Sequence, residues 1–334
     1  MKILKPDYYD RFRCIAGACP DSCCKEWEVD VDPDAAAFYR KLPGDLGDRL
    51  RSVLQDTEDG VCMTIENRRC PMWRQDGLCR IQAELGHDAL CKTCREFPRL
   101  RHDYGDFAEL GLELSCPEAA RLILNSDWEI LAENAPDGDA PEYDEEVMST
   151  LLRSRQALLG YLSTCDSPRD ALAVMLLYGY EVQNELDGDQ PAALSPDSCL
   201  AAARRFAGPG DIDGIFAFFR ELEILTPQWK KQLDAGAVDG AWDRRLLRFA
   251  RYGIERYWLQ AVSDFDLVCR VKLIVIACLL VNAMGGDLLQ TAQAFSKEIE
   301  NDPDNLEAIL DGAYSAPCFT DASLLGLLLG NENA

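Results

Sequence analysis

The chain has 334 residues and a formal net charge of -24, from 34 Lys and Arg against 58 Asp and Glu. Such an acidic surface repels phosphate backbones, which argues against nucleic-acid binding and favours basic partners, including a lysine-bearing protein. Hydrophobic residues make up 48% of the sequence, so the composition excludes a largely disordered chain.

The beginning of the chain gives no sign of export. Residues 1–6 lack the apolar core and small-residue cleavage site of a signal peptide. The longest apolar run, residues 273–281, is far shorter than a membrane span. We therefore expect a cytoplasmic protein without a membrane partner. In that reducing compartment, clustered cysteines indicate metal binding more than disulfides.

The first predicted unit is a Cys-rich module, residues 1–125, with short elements interrupted by Pro and Gly. It contains most of the 15 cysteines: Cys14, Cys19, Cys23, Cys24, Cys62, Cys70, Cys79, Cys91, Cys94 and Cys116. The close spacings Cys14-x4-Cys19-x3-Cys23-Cys24 and Cys91-x2-Cys94, and the proline after Cys70 and Cys116, are typical of loops that bind metal. Because only 2 histidines are present, thiolates must supply most ligands. Zinc and an iron–sulfur cluster both accept four thiolates, so both stay open.

Two weaker interpretations of these cysteines are a zinc staple without chemistry and a disulfide-based thiol switch. Adjacent Cys23 and Cys24 have diverging side chains, so we expect them to take different roles. The five later cysteines are scattered singly in apolar or helical surroundings, which is typical of buried thiols: Cys165, Cys199, Cys269, Cys278 and Cys318.

Residues 126–146 are the predicted linker, marked by Pro136, Asp137-Gly138 and Pro141. Residues 147–334 are the predicted helical domain, because apolar residues recur at spacings of three and four. The expected helices span residues 147–165, 168–185, 211–225, 226–233, 243–263, 266–284, 287–300 and 303–314, with a short one after Asp321. Residues 187–197 are expected to be a loop. Little of the sequence reads as strand, so the predicted fold is all-α, mainly helical, with an irregular Cys-rich metal-binding module at the N-terminus.

The cysteine strings resemble the flagellin lysine-N-methylase (FliB-type) family and share features with the YkgJ-like zinc- or iron-chelating cysteine cluster. The resemblance is carried by Phe12-Arg13-Cys14 through Cys23-Cys24-Lys25-Glu26-Trp27, Cys70-Pro71-Met72, Gly77-Leu78-Cys79-Arg80-Ile81-Gln82, Thr93-Cys94-Arg95-Glu96-Phe97-Pro98-Arg99 and Leu114-Ser115-Cys116-Pro117-Glu118-Ala119-Ala120-Arg121. Near the other end, Ser296-Lys297-Glu298-Ile299-Glu300 and Asn305-Leu306-Glu307 look like the family's C-terminal segment, although Asn301 stands where the resemblance would place a histidine.

The resemblance implies transfer of a methyl group from S-adenosylmethionine to the ε-amine of lysines on flagellin. It also implies an iron–sulfur cluster, of which 4Fe–4S is the favoured form and zinc the alternative. The implied metal ligands come from Cys19, Cys23, Cys24, Cys70, Cys79, Cys94 and Cys116. Cys14 lies further from the tight group, and the resemblance speaks less for Cys62 and Cys91.

Lysine methylation needs a neutral amine, so a site must lower the amine's pKa or provide a base. The candidate carboxylates are Glu96, Glu113, Glu118, Glu298 and Glu300. Tyr8, Tyr9, Trp27 and Trp73 are candidates for an aromatic wall around a cation, and core positions are the simpler interpretation of all four. The sequence has neither a Gly-rich turn after a strand nor a Cys-x3-Cys-x2-Cys string, so the donor site and the catalytic residues stay unassigned.

Two other functions remain open at this point. One is a metal-stabilised structural or interaction protein, with zinc or an iron–sulfur cluster and without methyl transfer. The other is electron transfer by the cluster alone.

Overall fold

A computed structural model describes residues 1–25, 27–58, 60–136, 138–189 and 195–330. The described chain is mainly helical, as the sequence predicts. Its α-helices are α1 Pro33–Lys41, α2 Gly44–Val53, α3 Arg80–Leu85, α4 Lys92–Glu96, α5 Pro117–Asn125, α6 Glu145–Thr164, α7 Pro168–Leu186, α8 Pro196–Phe206, α9 Ile212–Glu221, α10 Pro227–Ala235, α11 Arg245–Tyr257, α12 Val268–Met284, α13 Leu288–Phe295, α14 Pro303–Ser315 and α15 Asp321–Leu329.

Local sequence explains most of the helix boundaries. α7 begins where the Ser167 hydroxyl accepts a hydrogen bond from the backbone N–H of Asp170, and Pro168 occupies the first turn. α12 ends at Met284, and the next residue, Gly285, has a φ of 68°, a conformation that glycine adopts without strain. All 17 residues of α12 are buried, which accounts for the longest apolar run in the sequence. α12 is therefore the central helix, contacted by α7, α11 and α14.

Three helical details differ from the predicted ones. α8 was not predicted, although Ser195-Pro196 repeats the Ser-Pro start of α7. Residues 190–194 of the predicted loop before it lie outside the described residues. α13 ends at Phe295, and Ser296–Glu300 then form one turn of π-helix, here called the π-turn. α11 ends at Tyr257 and is followed by a 3-10 turn over Trp258–Val262.

Two small sheets correct the expectation of an all-α fold with little strand. The first has the order β5-β6-β1-β7, formed by β1 Lys2–Pro6, β5 Arg99–Asp103, β6 Phe107–Leu112 and β7 Ile130–Asn134. β1 runs parallel to β6, with Lys2 opposite Phe107, and antiparallel to β7. The second has the order β2-β4-β3, formed by β2 Val29–Val31, β3 Leu54–Thr57 and β4 Gly60–Met63.

The segment predicted as a linker contributes a strand to the first sheet. β7 occupies residues 130–134, and Ala135 donates its backbone N–H to Met1 O at 3.1 Å. Asp137, one of the turn signals, lies outside the described residues. The other described residues between 135 and 144 form neither helix nor strand, and α6 begins at Glu145. The N-terminus is therefore held against the segment that leads into the helices.

The buried side chains form two separate cores. The small core takes its residues from between Val29 and Cys91 and includes two cysteines, Cys70 and Cys91. The large core combines the helices from α6 onward with residues from both ends of the predicted Cys-rich module, including Tyr8, Phe12, Leu112 and Ile123. Among the helices of the described chain, none is long and apolar enough to cross a membrane.

Candidate metal centre

Six cysteines line one cavity of about 70 Å³, here called the cysteine cavity. Its cysteines are Cys23, Cys24, Cys70, Cys79, Cys91 and Cys94, and Trp27, Tyr39 and Phe97 complete much of the wall. Five of the seven cysteines that the resemblance implies as ligands therefore lie together. The sixth, Cys91, was outside the implied set, and its signal was the two-residue spacing to Cys94.

Backbone contacts bring the distant cysteine strings together. Cys70 donates its N–H to Cys24 O at 2.8 Å, and Lys25 pairs with Arg69 in an isolated antiparallel bridge. These contacts hold the first string against the second. A tight turn then follows, in which Trp73 donates its N–H to Cys70 O at 2.9 Å.

Three cysteines occupy the residue immediately before a helix. Cys79 precedes α3, Cys91 precedes α4 and Cys116 precedes α5. Burial raises the pKa of the Cys79 thiol, while the backbone amides of Gln82 and Ile81 act in the opposite direction. Amide groups at a helix N-terminus favour an anion, so they support a thiolate ligand at this position.

Hydrogen bonds between thiols link neighbouring members of the cavity wall. Cys94 donates to Cys91, and this bond lowers the pKa of Cys91 to about 7. Cys24 donates to Cys70, and this bond lowers the pKa of the Cys70 thiol. Two of the thiols are thus predisposed to ionise, and thiolates are the form that binds metals.

The other predicted ligands, Cys19 and Cys116, lie beside the cavity and not in its wall. Burial raises the pKa of Cys116 to about 11, with a smaller contribution from the negative charges of Cys19 and Cys23. Cys14 lies near these two cysteines, because its negative charge raises the pKa of the Cys19 thiol. Cys62 is separate, with its sulfur 3.7 Å from a Glu28 carboxylate oxygen.

Among the described residues, the thiols line a cavity and are not gathered around one point. Within the described ranges, no three His, Cys, Asp or Glu side chains are arranged to hold one metal ion. A single zinc requires its sulfur ligands about 2.3 Å from one point. An iron–sulfur cluster carries its thiolates on different irons, so the ligands surround a volume. Six thiols line one cavity, which is more than the four thiolates that either a zinc site or an iron–sulfur cluster takes.

A second, smaller cavity is also lined by Cys23 and lies between the Cys-rich segment and the C-terminal helices. This junction cavity, of about 20 Å³, is lined by Ser22, Cys23, Lys25, Trp27, Phe97, Ser115, Leu225, Lys297 and Asn301. The Asp21 carboxylate lies 3.0 Å from the Lys297 ammonium and 3.1 Å from that of Lys25. The π-turn is therefore tied directly to the first cysteine string.

The five candidate carboxylates have different surroundings. Glu96 is exposed, and Glu118 forms an ion pair with Arg121 at 2.7 Å. The Glu300 carboxylate accepts hydrogen bonds from Tyr252 and Tyr257, both at 2.8 Å. Glu118 and Glu300 are therefore each bound by side chains of the protein itself.

The half-buried Glu113 and the fully buried Glu298 are the two carboxyl groups of the set whose pKa is raised. Burial raises the pKa of Glu113, which accepts a hydrogen bond from the Ser115 hydroxyl at 3.1 Å. Burial raises the pKa of Glu298 to about 7. One Glu298 oxygen accepts from Leu225 N at 2.7 Å, and the other has no hydrogen-bond partner.

The four candidate aromatic residues do not form one wall. Trp27 packs against Phe97 with ring centroids 5.7 Å apart, and this pair lines both the cysteine cavity and the junction cavity. Trp73 is covered by Arg69, whose guanidinium lies 4.4 Å from the ring centroid. Tyr8 and Tyr9 pack against the large core. Only Trp27 lines the cysteine cavity.

The chain is similar in sequence to three curated bacterial proteins. The chain is 31% identical over 136 residues to a lysine-N-methylase of Salmonella typhimurium, a match that covers 37% of this chain and 32% of that protein. It is 30% identical over 136 residues to the flagellar biosynthetic protein FliU of Salmonella muenchen, a match that covers 37% of this chain and 77% of that protein.

A lysine-N-methylase of Salmonella choleraesuis is 30% identical over the same length, and the match covers 32% of it. The chain thus spans about a third of the length of the two lysine-N-methylases. No family model and no solved structure matches. The extent of the FliU match places this chain in the family that contains FliU and the lysine-N-methylases.

Proposed function

We propose that this chain is a protein-lysine N-methyltransferase that uses S-adenosylmethionine and acts on flagellin, with an iron–sulfur cluster in the cysteine cavity. The observation that carries the proposal is the convergence of six cysteines on one cavity in a member of this family. The names of the relatives, a lysine-N-methylase and a flagellar biosynthetic protein, support methylation of lysine and a substrate from the flagellum. The net charge of -24 also suits a substrate that presents lysine.

The residues that would hold the cluster are four of the six cavity cysteines. Cys70, Cys79 and Cys91 are the best prepared, because the first and third have lowered pKa values and the second faces helix amides. A bound cluster would supply an electron-transfer group or a Lewis-acidic iron. The surrounding side chains Trp27, Tyr39 and Phe97 would shield it from water.

Methyl transfer also needs a proton acceptor and a place for a cation. The substrate ammonium must first lose a proton, after which its nitrogen attacks the methyl carbon and the sulfur keeps the electrons of the broken bond. Trp27 and Phe97 offer aromatic faces to a cation beside Cys23. Ser115 lines the same junction cavity and donates a hydrogen bond to Glu113, so Glu113 is the candidate acceptor for the proton. The Asp21 carboxylate is also near this cavity, but it is already paired with Lys25 and Lys297.

The first experiment measures iron, acid-labile sulfide and zinc per chain after purification without oxygen, together with the visible spectrum. We expect a brown protein with about four iron and four sulfide per chain. Radiolabelled S-adenosylmethionine should then transfer label to flagellin. A colourless protein with stoichiometric zinc and no transfer would contradict the proposal and favour a structural metal site.

Two matched variants locate the centre. Cys79→Ser removes a thiol of the cysteine cavity, and we expect it to lose most of the iron and the methyl transfer. Cys62→Ser removes a thiol from the same segment but outside the cavity, and we expect iron content and transfer to stay at the original level. Equal iron loss in both variants would place the centre elsewhere.

The alternative function is a metal-stabilised structural or interaction protein. The observation that favours it is that Cys70 and Cys91 belong to the small core, so a metal there would also hold that core together. This alternative predicts bound metal and loss of the small core on metal removal, without any binding of S-adenosylmethionine.

A further inference from the structure

Three charged side chains meet where the first cysteine string contacts the C-terminal helices. The Asp21 carboxylate lies 3.1 Å from the Lys25 ammonium through one oxygen and 3.0 Å from the Lys297 ammonium through the other. We call these three residues the Asp21 triad. Two ammonium groups and one carboxylate give the triad a net charge of +1, in a chain whose overall charge is -24.

The charges of the Asp21 triad are partly enclosed and held in place. The side chain of Lys297 is only 12% exposed and that of Asp21 27%. Gln293 of α13 donates to the Asp21 carboxylate at 3.4 Å and to Ser115 O at 2.7 Å. Burial acts to raise the pKa of Asp21, but Lys297 and Lys25 hold it below its ordinary value, so the carboxylate is ionised at pH 7. Charges enclosed in this way are screened less than charges on an open surface.

Cys23 connects the Asp21 triad to the cysteine cavity. Lys25 and Lys297 line the junction cavity together with Cys23, and Cys23 also lines the cysteine cavity. A hydrogen bond with Cys24 and burial raise the pKa of the Cys23 thiol, and the positive charge of Lys297 acts in the opposite direction. The charge of Lys297 is therefore felt at the wall of the cysteine cavity.

The wall of the cysteine cavity has no charged side chain apart from its thiols. The described residues that line it are otherwise apolar, aromatic or neutral and polar. Near Cys91, the negative charge of Asp32 acts on the thiol, and the positive charge of Arg95 acts on Asp32 in turn. That pair contributes no net charge, whereas the Asp21 triad contributes a positive one.

A metal centre made of thiolates needs a positive charge nearby. Zinc or an iron–sulfur cluster bound by four thiolates carries a net negative charge, and a cluster becomes more negative when it is reduced. Negative charge between neutral walls is costly unless an opposite charge lies close to it. A neighbouring positive charge therefore stabilises the centre, and it stabilises the reduced form of a cluster more than the oxidised form.

We propose that the Asp21 triad is the countercharge of the metal centre in the cysteine cavity, and that Lys297 raises the reduction potential of an iron–sulfur cluster bound there. The inference rests on the proposed function for the presence of the centre, and its test separates the two. The same charge is compatible with methyl transfer, because a nearby ammonium favours the neutral form of a substrate amine.

The first test neutralises Lys297. Lys297→Gln leaves one ammonium and one carboxylate, so the net charge of the triad falls to zero. We expect reduction of the cluster to become about tenfold less favourable, which for one electron lowers the midpoint potential by ~59 mV. Titration with dithionite in the presence of redox mediators, followed by the visible spectrum, measures this potential. Lys297→Arg keeps the charge and should keep the original potential.

The second test reverses the sign. Asp21→Asn removes the carboxylate and leaves both ammonium groups, so the midpoint potential should rise by a similar amount. Loosening of the junction would move the potential in the same direction in both variants. Opposite shifts in Lys297→Gln and Asp21→Asn therefore support a countercharge, and shifts of the same sign would overturn it.

Lys272→Gln is the matched control. Lys272 is also a buried lysine, paired with Asp321 at 3.0 Å, and it lines neither the cysteine cavity nor the junction cavity. Its removal changes the net charge of the chain by the same amount and should leave the potential unchanged. Circular dichroism verifies that each variant folds. A shift in Lys272→Gln equal to that in Lys297→Gln would mean that the total charge matters and the triad does not.

The outcomes for the triad and for the function can be told apart. If the protein contains an iron–sulfur cluster whose potential is the same in Lys297→Gln, the countercharge assignment is wrong and the function stands. If it contains zinc, competition with a zinc-binding dye replaces the redox titration. Zinc binding about tenfold weaker in Lys297→Gln, and tighter in Asp21→Asn, would support the countercharge and contradict the cluster. A protein that binds neither metal would overturn both.

Discussion

Glu298 is a buried carboxyl group with one satisfied and one unsatisfied oxygen. It is fully buried, and burial raises its pKa from 4.5 to about 7. In the folded state it therefore holds its proton more tightly than in the unfolded state. The stability linked to this group is fully present below pH 4.5 and is lost as the pH rises through 7, by an amount on the order of 3 kcal/mol.

Glu298→Gln removes this titration and keeps an oxygen that can accept from Leu225 N. We expect the free energy of unfolding of the variant to change less than that of the original protein between pH 5 and pH 8. Denaturant titrations at several pH values measure this difference. Glu96→Gln, at an exposed residue, is the control and should follow the original pH dependence. Parallel curves for Glu298→Gln and the original protein would contradict the raised pKa.

The cysteines show what sequence can and cannot predict at single residues. The resemblance implied Cys19, Cys23, Cys24, Cys70, Cys79, Cys94 and Cys116 as metal ligands, and the structure brings five of the seven, without Cys19 and Cys116, to the wall of one cavity. It was harder to predict that Cys91 lines the cavity and Cys62 does not, because this depends on which face of a short element is turned toward the cavity. That choice is made by tertiary packing, and the sequence signal for Cys91 was its two-residue spacing to Cys94, which Cys62 lacks.

The π-turn Ser296–Glu300 is held to α11 by buried polar contacts. The Glu300 carboxylate interacts with Arg256 and Tyr252 and with the Ser296 hydroxyl of its own turn. The side chain of Glu300 is only 3% exposed and that of Arg256 only 11%. Removing either charge therefore leaves its partner buried without compensation.

Arg256→Met is expected to lower the free energy of unfolding by about 3–5 kcal/mol, because Glu300 would lose its countercharge. The double variant Arg256→Met, Glu300→Gln should recover part of this loss, since Gln can still accept from the two tyrosines. Chemical denaturation of the three proteins forms the test. A single variant as stable as the original protein would show that the ion pair does not hold the turn.

Helices were more predictable than strands because their signals are local. Ser167-Pro168 and Gly285 mark helix ends within a few residues of sequence. β1, by contrast, pairs with β6 and β7, more than one hundred residues away, and every residue of β7 is exposed. A strand with no buried face shows no alternation, so its partners alone define it. The π-turn likewise continues a helical pattern without a signal of its own.

At the scale of the whole molecule, the two cores should respond differently to removal of the proposed metal centre. The small core includes cavity cysteines, whereas the large core is built mainly from helices. We expect chelation to increase hydrogen exchange in residues 29–94 while α7 and α12 stay protected. Exchange measured by mass spectrometry on loaded and chelated protein tests this. Uniform deprotection of both cores would mean that the molecule unfolds as one unit.

The two cores draw on different parts of the chain, and this affects the order in which they can fold during synthesis. All residues of the small core and all six cavity cysteines lie within the first 94 residues, whereas the large core needs residues as late as Leu328. Segments that leave the ribosome early can fold before later ones exist. The cysteine cavity can therefore assemble, and would be open to the proposed cluster, while the later residues that line the junction cavity beside Cys23 are still being synthesised.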